Sequence, residues 1–139
     1  MLHARHGARL VLSAGPGEED LAERAASQLR APCVRPSPTG LGSLAAWLRA
    51  ADLVIAADSL PLHLANALGT AVVGLYGPKD PAVTGPYWDR SRVVRSATDC
   101  SPCTLRRCAE TLCMERLSVD AVAAACDDLL TPNAPAPAP

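Results

Sequence analysis

The chain has 139 residues, enough for one domain with a single core. Lys and Arg number 13 and Asp and Glu 14, a net charge of −1, so no strong field draws it onto nucleic acid or an anionic membrane surface. Aromatics make up 3% with no Phe, which argues against base-stacking platforms and leaves Leu, Val and Ala to build the core.

The start, Met1-Leu2-His3-Ala4-Arg5-His6, lacks the apolar segment of a secretory signal. Ala8 to Ala14 reads as a strand ended by Gly15-Pro16-Gly17. Glu18, Glu19 and Asp20 then put acids in the first turn of a helix, where they favour its dipole. That helix is predicted to reach Arg30, with Leu21, Ala25 and Leu29 on one face, and Pro32 stops it. Cys33-Val34-Arg35 reads as a second strand before the turn-rich Pro36-Ser37-Pro38-Thr39-Gly40. Ser43 is a good N-cap for a helix carrying Leu44, Trp47 and Leu48.

Leu53-Val54-Ile55-Ala56-Ala57 is an apolar run with the character of a buried strand. A short helix, Pro61 to Leu68, follows and is closed by Gly69; the next strand is Ala71 to Leu75. From Ser59 to Pro78 there is no charged Asp, Glu, Lys or Arg. Pro61, Gly69, Gly74 and Gly77 interrupt that window, so it reads as helix, turn and strand rather than a transmembrane segment. Gly77-Pro78-Lys79-Asp80-Pro81 forms a turn, Gly85-Pro86-Tyr87-Trp88 a loop, and Arg92 to Arg95 an edge strand. A last helix opens at Ser118 and carries Val119, Val122, Ala123, Cys126 and Leu130.

The alternation of strand and helix predicts the α/β class: a Rossmann-like parallel sheet with helices on both faces. The predicted domain covers residues 1–130, and 131–139 reads as a disordered Pro/Ala tail. The protein reads as soluble and cytoplasmic.

Asp58-Ser59-Leu60-Pro61-Leu62-His63 joins a predicted strand to a helix, where a doubly wound sheet binds ligands. Free backbone N–H groups and the positive end of the helix dipole suit an anion there, most often a phosphate. Ser59 can cap the helix and offer its hydroxyl to the same phosphate, and a ring N–H of His63 can reach it. The same residues serve equally well as a plain capping turn with a satisfied histidine. Lys79 follows another strand's carboxyl end and is positioned to neutralise phosphate charge, or to be an ordinary solvated lysine. Glu18 and Glu19 open a helix on that predicted rim, where they can accept from ribose hydroxyls or simply favour the dipole.

Cys100, Cys103, Cys108 and Cys113 form C-x2-C-x4-C-x4-C. Four thiolates so spaced are candidates for a structural zinc or an iron–sulfur cluster. The later gaps match no common zinc-ribbon spacing and no histidine joins them, so reduced thiols in a compact loop are expected and neither metal nor cofactor is assigned. Cys33 and Cys126 read as small buried hydrophobes.

Asp58 to Gly69, followed by Leu75-Tyr76-Gly77-Pro78-Lys79-Asp80-Pro81, resembles glycosyltransferase family 9, the ADP-heptose:lipopolysaccharide heptosyltransferases. The family pattern is roughly D-[ST]-G-x-x-H-[LI]-A-x-A-L-G, a strand, then G-P-[TK]-x-P. Cys113-Met114 and the Val-bearing helix after it look like heptosyltransferase II-type members, and the likeness covers about residues 8–130. It implies the C-terminal, donor-binding half of a GT-B fold. By resemblance, Asp58, Ser59, Leu60 and His63 contact the sugar diphosphate of an ADP-heptose-like donor. Glu18 or Glu19 then binds the adenosine ribose, and Lys79 and Asp80 lie in a turn beside the donor.

The implied activity is inverting transfer of heptose to the lipopolysaccharide inner core, with cytoplasmic or peripheral inner-membrane location. The acceptor cleft and general base belong to an N-terminal domain that this sequence does not contain, so no catalytic residue is assigned to this chain. The donor domain's first strand and a phosphate-binding lysine loop are also expected ahead of it. Leu60 replaces the family's glycine, adding a Cβ where backbone approaches the pyrophosphate and restricting positive φ. An unpaired sheet edge is expected to favour homo-oligomers. Two other readings follow from the residues: a Rossmann-like remnant that has lost its ligand, and a small interaction protein held by a four-cysteine metal site.

Overall fold

The computed structural model describes residues 1–36, 40–96, 98–103, 105 and 108–131. Residues 132–139 of the predicted tail, and Ser37 to Thr39 of the predicted turn, lie outside the described residues. Contacts divide the chain into two units, Met1–Ala46 and Trp47–Pro139, the boundary falling inside a helix.

The first unit holds α1 (Leu2–His6), β1 (Leu10–Val11), α2 (Glu19–Ser27), β2 (Cys33–Val34) and the start of α3 (Leu41–Ala50). β1 and β2 are parallel neighbours, Leu10 opposite Cys33 and Val11 opposite Val34. Both strands are shorter than predicted, and α2 ends at Ser27 rather than Arg30. The predicted apolar stripe of α2 also fails, because Leu21 and Leu29 are 57% and 41% exposed. The half-buried face is Ala22, Ala25 and Ala26, at i, i+3 and i+4, so the small residues make the contact instead. α1 has no counterpart in the sequence reading; it closes on Gly7, which takes a left-handed φ of 63° while its N–H donates to His3 O. Ser43 does not cap α3. That helix starts earlier, at Leu41, with the Leu44 N–H donating to Gly40 O, and Gly40 has a φ of +101° that β-carbon-bearing residues rarely adopt.

The second unit is built on β3 (Leu53–Ala57), β4 (Ala71–Tyr76) and β5 (Ser91–Arg95), three parallel strands in the order β3-β4-β5. Among the described residues all the pairings are parallel and helices join the strands, the α/β, Rossmann-like class predicted. α4 (Leu60–Ala67) crosses from β3 to β4, α5 (Pro81–Thr84) and a loop cross from β4 to β5, and α6 (Leu112–Glu115) and α7 (Val119–Leu130) follow. β4 is central and reads as continuous apolar sequence because both its faces are covered. Val72, Val73 and Tyr76 are fully buried. α4 adds Leu62 and Ala65, and α7 adds Ala123 and Cys126, to the same core. The Cys126 thiol is pushed above its ordinary value by burial and then by the nearby Asp127 charge, as expected of a cysteine used as a small hydrophobe.

Gly74 makes the β4–α4 contact close. A Cβ there would lie 2.8 Å from the Tyr76 ring and 3.3 Å from Leu62 Cδ2, so the missing side chain is the space those two groups share. Among the described residues no helix is long and apolar enough to cross a membrane. Leu62→Ala is expected to cost about 2–5 kcal/mol, since the side chain is fully enclosed and the cavity left cannot collapse onto a β-strand. Urea unfolding of the two proteins measures it, and a loss below about 1 kcal/mol would show that the α4–sheet contact is not the main core.

Candidate functional site

Parallel pairing sets the geometry of the rim. β3 and β4 run side by side with Ala57 opposite Leu75, so both strands end at one edge of the sheet and deliver Asp58 and the Gly77 turn to the same place. Ser59, extended at φ −156° and ψ 171°, turns the chain into α4, and Pro61 stands in its first turn, where a missing N–H costs nothing.

Neither Asp58 nor Ser59 caps the helix with its side chain, contrary to the sequence reading. Ser59 Oγ donates back to Ala57 O at 3.0 Å. The Ser59 carbonyl instead accepts from the N–H groups of Leu62 and His63. Asp58 has a different task. Its Oδ1 lies 2.9 Å from His63 Nε2, and its Oδ2 accepts from Thr84 Oγ1 at 3.2 Å. The Asp58 side chain is 16% exposed and His63 42%, so the carboxylate is tucked beneath a ring that faces outward. A carboxylate that shielded needs donors on both oxygens, and it has them. With Nε2–H committed to Asp58, the ring offers its Nδ1 edge, which has no partner among the described residues.

Leu60 stands at the first position of α4 and is 59% exposed. No residue other than glycine has a positive φ among those described, so the expected conflict between Leu60 and a left-handed backbone does not arise. What Leu60 adds is bulk: an apolar side chain at the mouth of the helix N-terminus.

The opposite wall of the rim is the turn after β4. Lys79 is exposed there with no partner among the described residues. Asp80 is occupied locally, its Oδ1 accepting from Ala82 N at 3.0 Å as the cap of α5. The cysteine segment braces this turn from behind. Ser101 Oγ donates to Gly77 O at 2.6 Å, Cys103 N–H donates to Pro78 O at 2.7 Å, and a Cβ on Gly77 would collide with Met114 Sδ and crowd Cys113 Sγ. All six cysteines are free thiols, with Cys100 and Cys108 exposed and Cys103 and Cys113 half-buried. Among the described residues no three His, Cys, Asp or Glu side chains come together to hold a metal ion. The segment's observed contacts are those of a buttress.

Glu18 and Glu19 belong to the first unit. There Glu18 Oε2 accepts from Gly15 N at 2.8 Å and Glu19 Oε1 from Gly17 N at 3.1 Å, so each acid holds the Gly15-Pro16-Gly17 turn that precedes α2. Backbone N–H donation lowers the Glu19 carboxyl below its ordinary value. One oxygen of each carboxylate is left over.

Thr84, Tyr76 and Asn66 were not read from the sequence as site residues. Tyr76 OH donates to Thr84 O at 2.7 Å, and Asn66 Oδ1 accepts from Tyr87 N at 2.9 Å. Tyr76 and Asn66 stand inside the two stretches that carry the family resemblance, which is the signal that could have found them, whereas Thr84 lies outside both. The Tyr76 phenol is pushed above its ordinary value by burial first and the Asp58 charge second, both of which oppose a phenolate. A group with a folded pKa above its unfolded value of about 10 keeps full stability below that pH and loses it as pH rises toward the folded value. Wild type should therefore lose more stability than Tyr76→Phe between about pH 9 and 11 in matched urea titrations; equal losses would remove Tyr76 from the account.

Comparison with known proteins bears on what this rim is. The sequence profile of glycosyltransferase family 9 (heptosyltransferase) matches residues 2–114. Lipopolysaccharide heptosyltransferase 3 of Escherichia coli is 35% identical over 92 residues, covering 62% of this chain and 26% of that protein. The lipopolysaccharide core heptosyltransferase OpsX of Haemophilus influenzae is 43% identical over 56 residues, 40% of this chain and 16% of that one. The solved structure of E. coli heptosyltransferase WaaC with ADP is similar with a TM-score of 0.59 and 31% identity, covering 66% of this chain and 29% of that chain. A family 9 glycosyl transferase from Veillonella parvula gives the same TM-score and identity over 65% and 26%. The chain thus spans about a quarter of the E. coli relative it matches.

Proposed function

We propose, from the premise that this chain belongs to glycosyltransferase family 9, the heptosyltransferases, that its Asp58-to-His63 rim binds the diphosphate of an ADP-heptose-like donor. The observation that carries this is the Asp58–His63 pair at the amino end of an eight-residue helix, on the carboxyl edge of a parallel sheet. The α4 dipole favours an anion there by roughly 0.3–1 kcal/mol in an exposed setting. Asp58 fixes the ring so that its Nδ1 edge faces the ligand. When neutral that edge accepts from a sugar hydroxyl; when protonated it donates to a phosphate oxygen. Lys79, exposed on the facing turn with no partner among the described residues, supplies a positive charge.

In this reading the rim stabilises charge developing on the departing ADP while the anomeric carbon is attacked from the other face. The attacking group is a hydroxyl of the lipopolysaccharide inner core. Its general base and acceptor cleft are assigned to no residue of this chain, which acts as the donor-binding part of the enzyme. The free carboxylate oxygens of Glu18 or Glu19 are the proposed acceptors for the adenosine ribose, a role that rests on the family resemblance.

One observation favours a ligand-free Rossmann-like domain instead: the 59% exposed Leu60 side chain beside the helix N-terminus. Calorimetry separates the two. ADP and ADP-heptose should bind the chain, Asp58→Ala and His63→Ala should each weaken binding about tenfold, and Leu60→Gly should strengthen it. Absence of heat with about 1 mM ADP in both wild type and Leu60→Gly would leave a fold without its ligand.

A further inference from the structure

The segment from Pro81 to Trp88 is fastened to the rim and to α4 at separate points. At one end Thr84 Oγ1 donates to Asp58 Oδ2 at 3.2 Å, the nearer of two acceptors in its reach, the other being Asp80 O at 3.4 Å. At the other end, Tyr87 N–H donates to Asn66 Oδ1 at 2.9 Å. Asn66 is 3% exposed, and its amide nitrogen is buried with no partner among the described residues. An orphaned buried amide costs stability, so an asparagine here is favoured by what its carbonyl oxygen holds rather than by packing. Thr84 is itself tied from below. The enclosed Tyr76 phenol donates to its carbonyl, and the Asp80 cap fixes the start of α5, only four residues long.

The consequence falls on Asp58. A carboxylate turns freely about its last bond, so a single partner on Oδ1 does not fix its plane. A second donor on Oδ2, coming from a different element, does. We infer that Thr84 is a positioning residue of the donor site: its hydroxyl holds the Asp58 carboxylate in the plane that keeps His63 Nε2–H bound and the ring's Nδ1 edge turned outward. This rests on the donor-site reading above only for its ligand; the orientation itself is a property of the nucleotide-free protein.

The test uses the whole chain with Thr84→Val, which keeps the side chain's shape and removes the hydroxyl, Thr84→Ala as a second hydroxyl deletion, and Thr84→Ser, which retains it. In the nucleotide-free chain, a ring N–H of His63 protected from exchange should be visible in 15N-edited proton spectra of wild type and the Ser variant. It should be lost in Val and Ala, whose chemical-shift dispersion reports that they fold. Affinity for ADP should fall about 3- to 10-fold in Val and Ala and stay within about twofold in Ser. A Val variant that keeps both the protected N–H and full ADP affinity, or a Ser variant as impaired as Val, would overturn the inference. If wild type itself binds no ADP, the donor reading fails, while the N–H comparison alone still decides the role of Thr84.

Discussion

One carboxylate organises the rim of this protein. Asp58 leaves the end of β3, and its two oxygens are taken by donors from two later elements, His63 on α4 and Thr84 on α5. The carboxylate is mostly shielded from water, so either donor's loss leaves an oxygen with poor compensation, and the three groups stand or fall together. Pairing of Ala57 with Leu75 makes this possible, because it brings Tyr76 and the following turn level with Asp58. A one-residue slip would reverse the faces of every side chain on β4 and lose both the Tyr76–Thr84 bond and the core.

The interior and the rim are joined through the same few residues. Gly74 leaves room for the Tyr76 ring against Leu62, which packs α4 onto the sheet, and the buried Tyr76 ring sends its hydroxyl up to Thr84. Rigidity in the core therefore reaches the exposed histidine in three steps: ring, threonine, aspartate. On the other side, Ser101, Cys103 and Met114 hold the Gly77-Pro78 turn that carries Lys79. Family membership explains why such a rim exists, while the hydrogen bonds explain how this sequence builds it.

What the sequence made legible follows strong local signals. The Leu53-to-Ala57 and Ala71-to-Leu75 runs are strands as read, but only the second is buried along most of its length, since β3 buries Val54 alone and leaves Ile55 42% exposed. Ser118 caps the last helix as read, its Oγ accepting from Ala121 N. The first unit was harder. Its strands are two residues long, and the packed face of α2 is made of alanines, which carry no periodic apolar signal strong enough to outweigh Leu21 and Leu29. At the site, the residues of the Asp58-to-His63 turn were identifiable by type and place, but their tasks were not. Ser59 looked like the cap because serine commonly is one; in the structure the extended backbone turns its hydroxyl to Ala57 O. Thr84 was invisible because a hydrogen bond to a residue 26 positions away leaves no local pattern. The cysteine spacing favours reduced thiols in a compact loop and leaves a metal site as the other reading; what it does not reveal is that the segment braces the Gly77-Pro78 turn.

The central claim is that nucleotide diphosphate binds at the carboxyl edge of the β3-β4-β5 sheet. It is tested most directly by following backbone amide resonances of the chain as ADP is added. The account predicts that the largest shifts fall on Ser59 to His63 and on Lys79 and Asp80. Shifts concentrated instead at the opposite edge of the sheet, where Arg49, Asp52, Thr70 and Arg90 line an open groove of about 300 Å³, would contradict it.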